Sequence, residues 1–198
     1  MSDQTIVISA SPHIHSDRTS KKLMYDVLIA LIPAFLMSIY LFGISALVLT
    51  SVAVSTCLLF EYLIQKYLLK TEVTTADGSA LLTGILLAFN LPATLPIWMV
   101  VVGSLVAIGV AKLSFGGLGN NIFNPALVGR VFLLVSFPVQ MTTWPNPVEN
   151  NTTFVDATTG ATTLGIIKEE LMYGGTMSTI SSKIPSTADL LLGISGGS

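Results

Sequence analysis

The chain has 198 residues, of which 52% are hydrophobic and only 10% charged, against about a quarter charged in a soluble globular domain. Nine Lys or Arg, eleven Asp or Glu, a formal net charge of −2 and no basic run argue against a nucleic-acid partner. One cysteine, no low-complexity tract and a mean hydropathy of +0.77 exclude a disulfide-rich scaffold and a disordered chain. What remains is an all-α, polytopic membrane helical bundle whose partner is the lipid bilayer.

Residues 1–22 are polar and lack the apolar h-region of a cleavable signal peptide. Arg18, Lys21 and Lys22 precede the first apolar run, which places this N-terminal segment in the cytoplasm. His13 and His15 have no carboxylate or thiol at ligand spacing, so a polar segment packed under the membrane is expected there, not a metal site.

The membrane domain is expected over 23–139, with about five spans. No charge occurs between Asp26 and Glu61, a gap of 34 residues, and a second gap of 34 separates Asp77 from Lys112. Each gap holds roughly two spans of about 20 residues. The first divides near Gly43 into helices at 23–42 and 45–68, with Pro33 expected to kink the first. The second divides at Asn90-Leu-Pro92 and Pro96 into a short helix at 79–91 and a full one at 96–113. A fifth helix covers 121–138 and carries Arg130. This predicts interrupted helices, and the five-span count requires residues 79–95 to cross. Lys66, Lys70 and Lys112 then fall on the cytoplasmic side, and residues 140–186 fall outside. The remaining carboxylates before Glu149, namely Glu61, Glu72 and Asp77, are expected at the edges of the spans, which gives no support to a buried carboxylate relay.

Arg130 is expensive in a membrane, about 2.5–3.5 kcal/mol on insertion scales, and needs a polar partner or a wet cavity. A structural tie between helices and a ligand contact are equally compatible with it. Ahead of it, Phe115-Gly-Gly-Leu-Gly-Asn-Asn-Ile-Phe-Asn-Pro125 combines glycines, which allow close backbone approach, with amides that can face a heteroaromatic ring. No Gly-Lys-Ser/Thr follows, so this is not a phosphate loop. With the break at Pro92, these residues suggest a site built from interrupted helices. Cys57 reads as a small core residue.

The outside segment carries Asn150-Asn-Thr and Asn151-Thr-Thr, which fit glycosylation sequons. It also contains Asp156-Ala-Thr-Thr-Gly-Ala-Thr162, in which a Gly-Ala pair leaves the Thr162 hydroxyl uncrowded for covalent modification. That element resembles the flavinylation signature of membrane redox pumps. Ser11-Pro-His-Ile-His15, Arg18-Thr19, Asn90-Leu-Pro92 and the block from Phe115 to Arg130 extend the resemblance along nearly the whole chain. The family is that of the D subunit of the Rnf ion-translocating ferredoxin:NAD oxidoreductase complex, related to the B subunit of the sodium-translocating NADH:quinone reductase.

The resemblance implies FMN joined to Thr162 by a phosphoester, with Asp156, Thr159, Gly160 and Ala161 read by a flavin transferase. It also implies a second, non-covalent flavin (riboflavin or another) in the membrane part, near Gly116, Gly117, Asn120, Asn124 and Arg130. The implied setting is a bacterial inner membrane, with the N-terminus inside and an extramembrane flavin-bearing loop outside. The implied function is relay of electrons between ferredoxin and NAD⁺, coupled to Na⁺ or H⁺ export, by a subunit not active alone. The partners would be the other subunits of the complex. With no nucleotide fingerprint and no cysteine cluster, no residue is assigned a catalytic role. Family members continue beyond residue 198 with more spans, and 187–198 read as the start of a further membrane segment in which Thr187-Ala-Asp189 echoes Thr75-Ala-Asp77. The alternative function is a membrane channel or solute transporter with an unmodified threonine loop.

Overall fold

A computed structural model describes residues 19–71, 73–145, 163–184, 186 and 188. The features expected at His13, His15, Asn150, Asn151, Asp156, Thr159, Gly160, Ala161, Thr162, Thr187 and Asp189 lie outside the described residues.

The longest element, α1, covers Ser20–Leu63 and passes through one non-helical residue, Gly43 (φ 63°, ψ −145°). That backbone region is almost closed to residues with a Cβ. The two arms, 20–42 and 44–63, do not continue one another. Thr19, Ser20 and Lys21 line the same cleft as Gln65 and Leu69, so the chain folds back at Gly43 into a helical hairpin. At 1.5 Å per residue the first arm is ~35 Å long, about the thickness of a hydrocarbon core. Thr19 caps its start by accepting from the Lys22 amide. Pro33 is carried inside this arm. The second arm runs into a π-helical turn, Ile64–Leu69, closed by Lys70 in the left-handed conformation.

Helix α2 (Ser79–Phe89) follows a 3-10 turn at Thr75–Asp77, and it packs closely on the second arm. A Cβ on Gly84 would lie 2.7 Å from the Val54 Cα, so only glycine permits that approach. The break after Phe89 holds Pro92 and Pro96, neither of which can donate a helical hydrogen bond. Helix α3 (Ile97–Leu105) then begins and continues as a π-helical segment, Val106–Lys112, and a 3-10 turn, Leu113–Phe115. Helix α4 (Pro125–Ser136) starts four residues later than the sequence suggested. Asn124 caps it and Pro125 stands at its first turn, where a missing N–H matters least. A short α5 (Pro138–Thr142) follows.

Residue pairings set the directions. Gly78 faces Tyr25, Ser104 bonds Thr56, Lys112 bonds Glu61, and Gly129 lies against Gly103 and Ala107. Successive apolar segments therefore run antiparallel to one another. Lys21, Lys66 and Lys112 gather towards one end of the bundle, with the glycines at 116–119. Trp98, stacked edge-on against Phe137, and Trp144 lie towards the other. The core between them is Leu49, Ala53, Leu87, Met99, Val100, Ala107, Ala126 and Leu133. By length and composition, 20–69 and 97–115 are apolar enough to cross a membrane. Helices α6 (Thr163–Met172) and α7 (Met177–Lys183) are joined by the exposed Lys183–Glu170 ion pair.

Gly43→Val forces a β-branched side chain into the hairpin bend. A loss of about 1–3 kcal/mol is expected, read as a lower thermal midpoint of the purified protein in detergent.

Candidate functional site

The bundle buries two opposite charges that the sequence placed at its edges. Glu61 on α1 is fully buried and Lys112, at the end of the π-helical segment, is 2% exposed. Lys112 Nζ donates to Glu61 Oε1 at 2.5 Å and to Ser79 Oγ, at the start of α2, at 2.7 Å. Three elements are thus pinned by one ammonium. Among the described residues, the second carboxylate oxygen of Glu61 has no hydrogen-bond partner. From the sequence, both residues were expected near span edges, with Lys112 on the cytoplasmic side, and neither their burial nor their pairing was foreseen. The reason is the fold: each residue is close in sequence to polar turns, but the antiparallel packing of the second arm, α2 and α3 turns both inward to meet.

Around the pair runs a track of small polar groups. Thr56 donates to Ser104 at 3.0 Å, and Cys57 is fully buried beside them. Towards the glycine end, buried Gln65 accepts from the Thr74 amide at 2.9 Å and donates to the Thr74 hydroxyl at 2.7 Å. These two bonds close the turn between the π-helical segment and α2.

Two cavities adjoin this network. One, of about 270 Å³, is walled by Ser79, Thr83, Lys112, Asn121 and Asn124, with Met24, Leu82, Leu86, Leu118 and Pro125 as its apolar faces. The other, about 840 Å³, opens among Lys21, Gln65, Thr74, Asp77, Gly116 and Gly117. Leu118 lines both. Gly116 and Gly117 hold φ of 99° and 87°, left-handed values that let the chain reverse between α3 and α4.

Of the residues singled out from sequence, Gly116 and Gly117 line the larger cleft and Asn124 the smaller. Asn120 stands beside Gly116, whose Cβ would lie 3.2 Å from the Asn120 Nδ2. Arg130 lies elsewhere. Its Nη1 donates to Asn90 Oδ1 at 2.9 Å, and Asn90 in turn donates to the Leu86 carbonyl at 2.7 Å. Arg130 thereby ties α4 to the break between α2 and α3, and it is not a wall residue of either cavity. The meeting of Lys112 with Glu61 and Ser79 was not foreseen from the sequence; the clue was that Lys112 and Glu61 each stand at the edge of a charge-free run of 34 residues.

Removing one partner of a buried ion pair strands the other charge. Lys112→Met alone is expected to cost about 3–5 kcal/mol, while Lys112→Met combined with Glu61→Gln recovers most of it. Thermal unfolding of the three proteins in one detergent reads the difference. A double variant as unstable as the single would contradict the pairing.

Comparison with known proteins matches residues 7–198 to the NQR2, RnfD, RnfE family. The D subunit of the proton-translocating ferredoxin:NAD(+) oxidoreductase complex of Clostridium ljungdahlii is 47% identical over 161 residues, covering 81% of this chain and 47% of its own length. The D subunit of the Na(+)-translocating ferredoxin:NAD(+) oxidoreductase complex of Acetobacterium woodii is 42% identical over 199 residues, 99% of this chain and 57% of its own. The D subunit of the ion-translocating oxidoreductase complex of Pectobacterium carotovorum is 42% identical over 176 residues, 84% of this chain and 50% of its own. The chain spans about half the length of these relatives. With its apolar helical hairpin and family match, the chain is a helical membrane protein, and it belongs to the NQR2, RnfD, RnfE family.

Proposed function

We propose that this chain is the flavin-bearing portion of a D subunit, the part of an ion-translocating ferredoxin:NAD⁺ oxidoreductase complex that relays electrons within the membrane. The observation that carries this reading is similarity to D subunits of such complexes over as much as 99% of the chain, together with the Asp156–Thr162 motif. Complex partners, coupling to Na⁺ or H⁺ export, and dependence on the other subunits for activity follow from the same similarity.

In this reading the five apolar segments are five crossings. The lysine-rich end faces the cytoplasm, as positive charge retained inside requires, and the Trp98 and Trp144 end faces out. The chain leaves the bundle at that outer end after α5, which puts residues 140–186 outside and Thr162 within reach of a flavin transferase. The inner membrane of a bacterium is the proposed location. FMN is held through a phosphoester on the Thr162 hydroxyl, with Asp156, Thr159, Gly160 and Ala161 forming the segment the transferase reads.

A second, non-covalent flavin such as riboflavin is proposed in the smaller cavity. Its residues suit one: apolar side chains for a flat ring, and the amides of Asn121 and Asn124 with the Ser79 and Thr83 hydroxyls for its polar edge. A volume of about 270 Å³ is at the low end for a ligand pocket and suits the ring alone. The larger cleft, adjoining at Leu118 and edged by Gly116 and Gly117, leaves room for a tail near Asn120. Arg130 has no part in this pocket. When bound, a flavin supplies one- and two-electron chemistry; the chain's residues hold and orient it and keep water from the ring. The 187–198 segment is proposed to begin the next membrane stretch.

Two experiments follow. With its flavin transferase co-expressed, the protein should fluoresce under ultraviolet light on a denaturing gel, and Thr162→Ala should abolish the band. A dark wild-type band would favour the channel or transporter alternative. Separately, Thr83→Phe should fill the smaller cavity and remove at least 90% of the flavin released by denaturant. Undiminished release would place the second flavin elsewhere.

A further inference from the structure

We propose that Lys112 is a positioning residue that sets the reduction potential of whatever electron carrier occupies the smaller cavity, with Glu61 and Ser79 as its anchors. The proposal rests on the non-covalent flavin reading above. An ammonium has three N–H donors. Two of those on Lys112 are used, one on Glu61 at 2.5 Å and one on Ser79 at 2.7 Å. Lys112 forms part of the cavity wall, and the third has no partner among the described residues, which leaves it for an acceptor there.

The arrangement is polar in a definite sense. Lys112 lines the cavity and Glu61 does not, so the buried pair presents its positive end to the ligand. Such a pair adds little net stability compared with apolar residues of the same volume. Charges kept inside an apolar bundle are by default functional. The network holds one ammonium between Glu61 and Ser79, while Glu61 Oε2 has no partner among the described residues. The π-helical segment that ends at Lys112 serves the same purpose, since its wider turn sets the side chain's direction out of α-helical register.

A ligand matched to this wall carries an acceptor edge beside the ammonium and amide-binding groups beside Asn121 and Asn124. Reduction adds negative charge to such a ring, and a fixed cation at its edge favours the reduced form, strongly so in a low-dielectric setting. Asn121 and Asn124 can orient the same edge but supply no charge.

The test uses the full-length subunit in its assembled complex, comparing wild type, Lys112→Met with Glu61→Gln, and Lys112→Arg. The non-covalent flavin is quantified after release by denaturant, and its potential is found by spectroelectrochemical titration. The neutral double variant is expected to retain flavin but shift the oxidised-to-reduced ratio at fixed ambient potential at least tenfold towards oxidised, ~30 mV for a two-electron couple. Lys112→Arg, which keeps the charge, should stay within about threefold of wild type. An unchanged potential in the double variant overturns the proposal while leaving the flavin reading intact. No releasable flavin in the wild type overturns both. If the Met-containing pair does not accumulate, Lys112→Gln with Glu61→Gln replaces it, with the same outcomes read the same way.

Discussion

The interior of this bundle is organised by one constraint: a charge taken out of water must find its opposite. Glu61 and Lys112 satisfy it with each other, and because they come from the second arm of α1 and the end of α3, their meeting fixes how those elements lie. Ser79 adds the start of α2 to the same point. Alone, apolar surface would let these helices slide past one another, since packing is non-directional and lipid is as apolar as the helix faces. A buried ion pair is not so tolerant, because a shift of one helical turn, about 5.4 Å, would leave both charges unpaired. The pair contributes register more than net stability.

The helices themselves are short and close-set for related reasons. Gly84 and Gly129 stand where a Cβ would strike neighbouring backbone, at 2.7 Å from Val54 Cα and 2.9 Å from the Gly103 carbonyl, so backbones approach without intervening side chains. That closeness brings Thr56 onto Ser104 and gives the polar track its continuity. At the other end, Arg130 and Asn90 resolve the problem of a helix broken by Pro92 and Pro96. The amide of Asn90 satisfies the Leu86 carbonyl while its oxygen receives the guanidinium. A hydrogen bond from a charged side chain therefore sits at each end of the α2–α4 region, and the space between Lys112 and the glycine turn is the cavity to which the chemistry is assigned.

Much of this was legible in the sequence, and the reasons are specific. Gly43 marked the hairpin because it stands alone near the midpoint of a charge-free run too long for one crossing. Asn90, Pro92 and Pro96 marked the α2–α3 break because proline cannot continue a helix. The family resemblance at 115–130 and along the chain agrees with the family match. The start of α4 was read four residues early because apolarity begins at Ile122, whereas the cap and proline that set the helix lie at Asn124 and Pro125. The inward turn of Glu61 and Lys112 was missed because it is a tertiary fact: 51 residues separate them, and each ends an apolar run where a solvated flank is the ordinary expectation. Arg130, for which the sequence left a structural tie and a ligand contact equally open, bonds a side chain on the α2–α3 link.

Whether this chain carries a flavin on its outer loop is tested most directly by mass spectrometry of the proteolytic peptide spanning residues 156–162. The protein should be isolated from cells that also make a flavin transferase. The peptide should then carry the mass of FMN less one water, with fragmentation locating the adduct on Thr162. An unmodified peptide, or an adduct on Thr158, Thr159 or any other residue, would contradict the assignment.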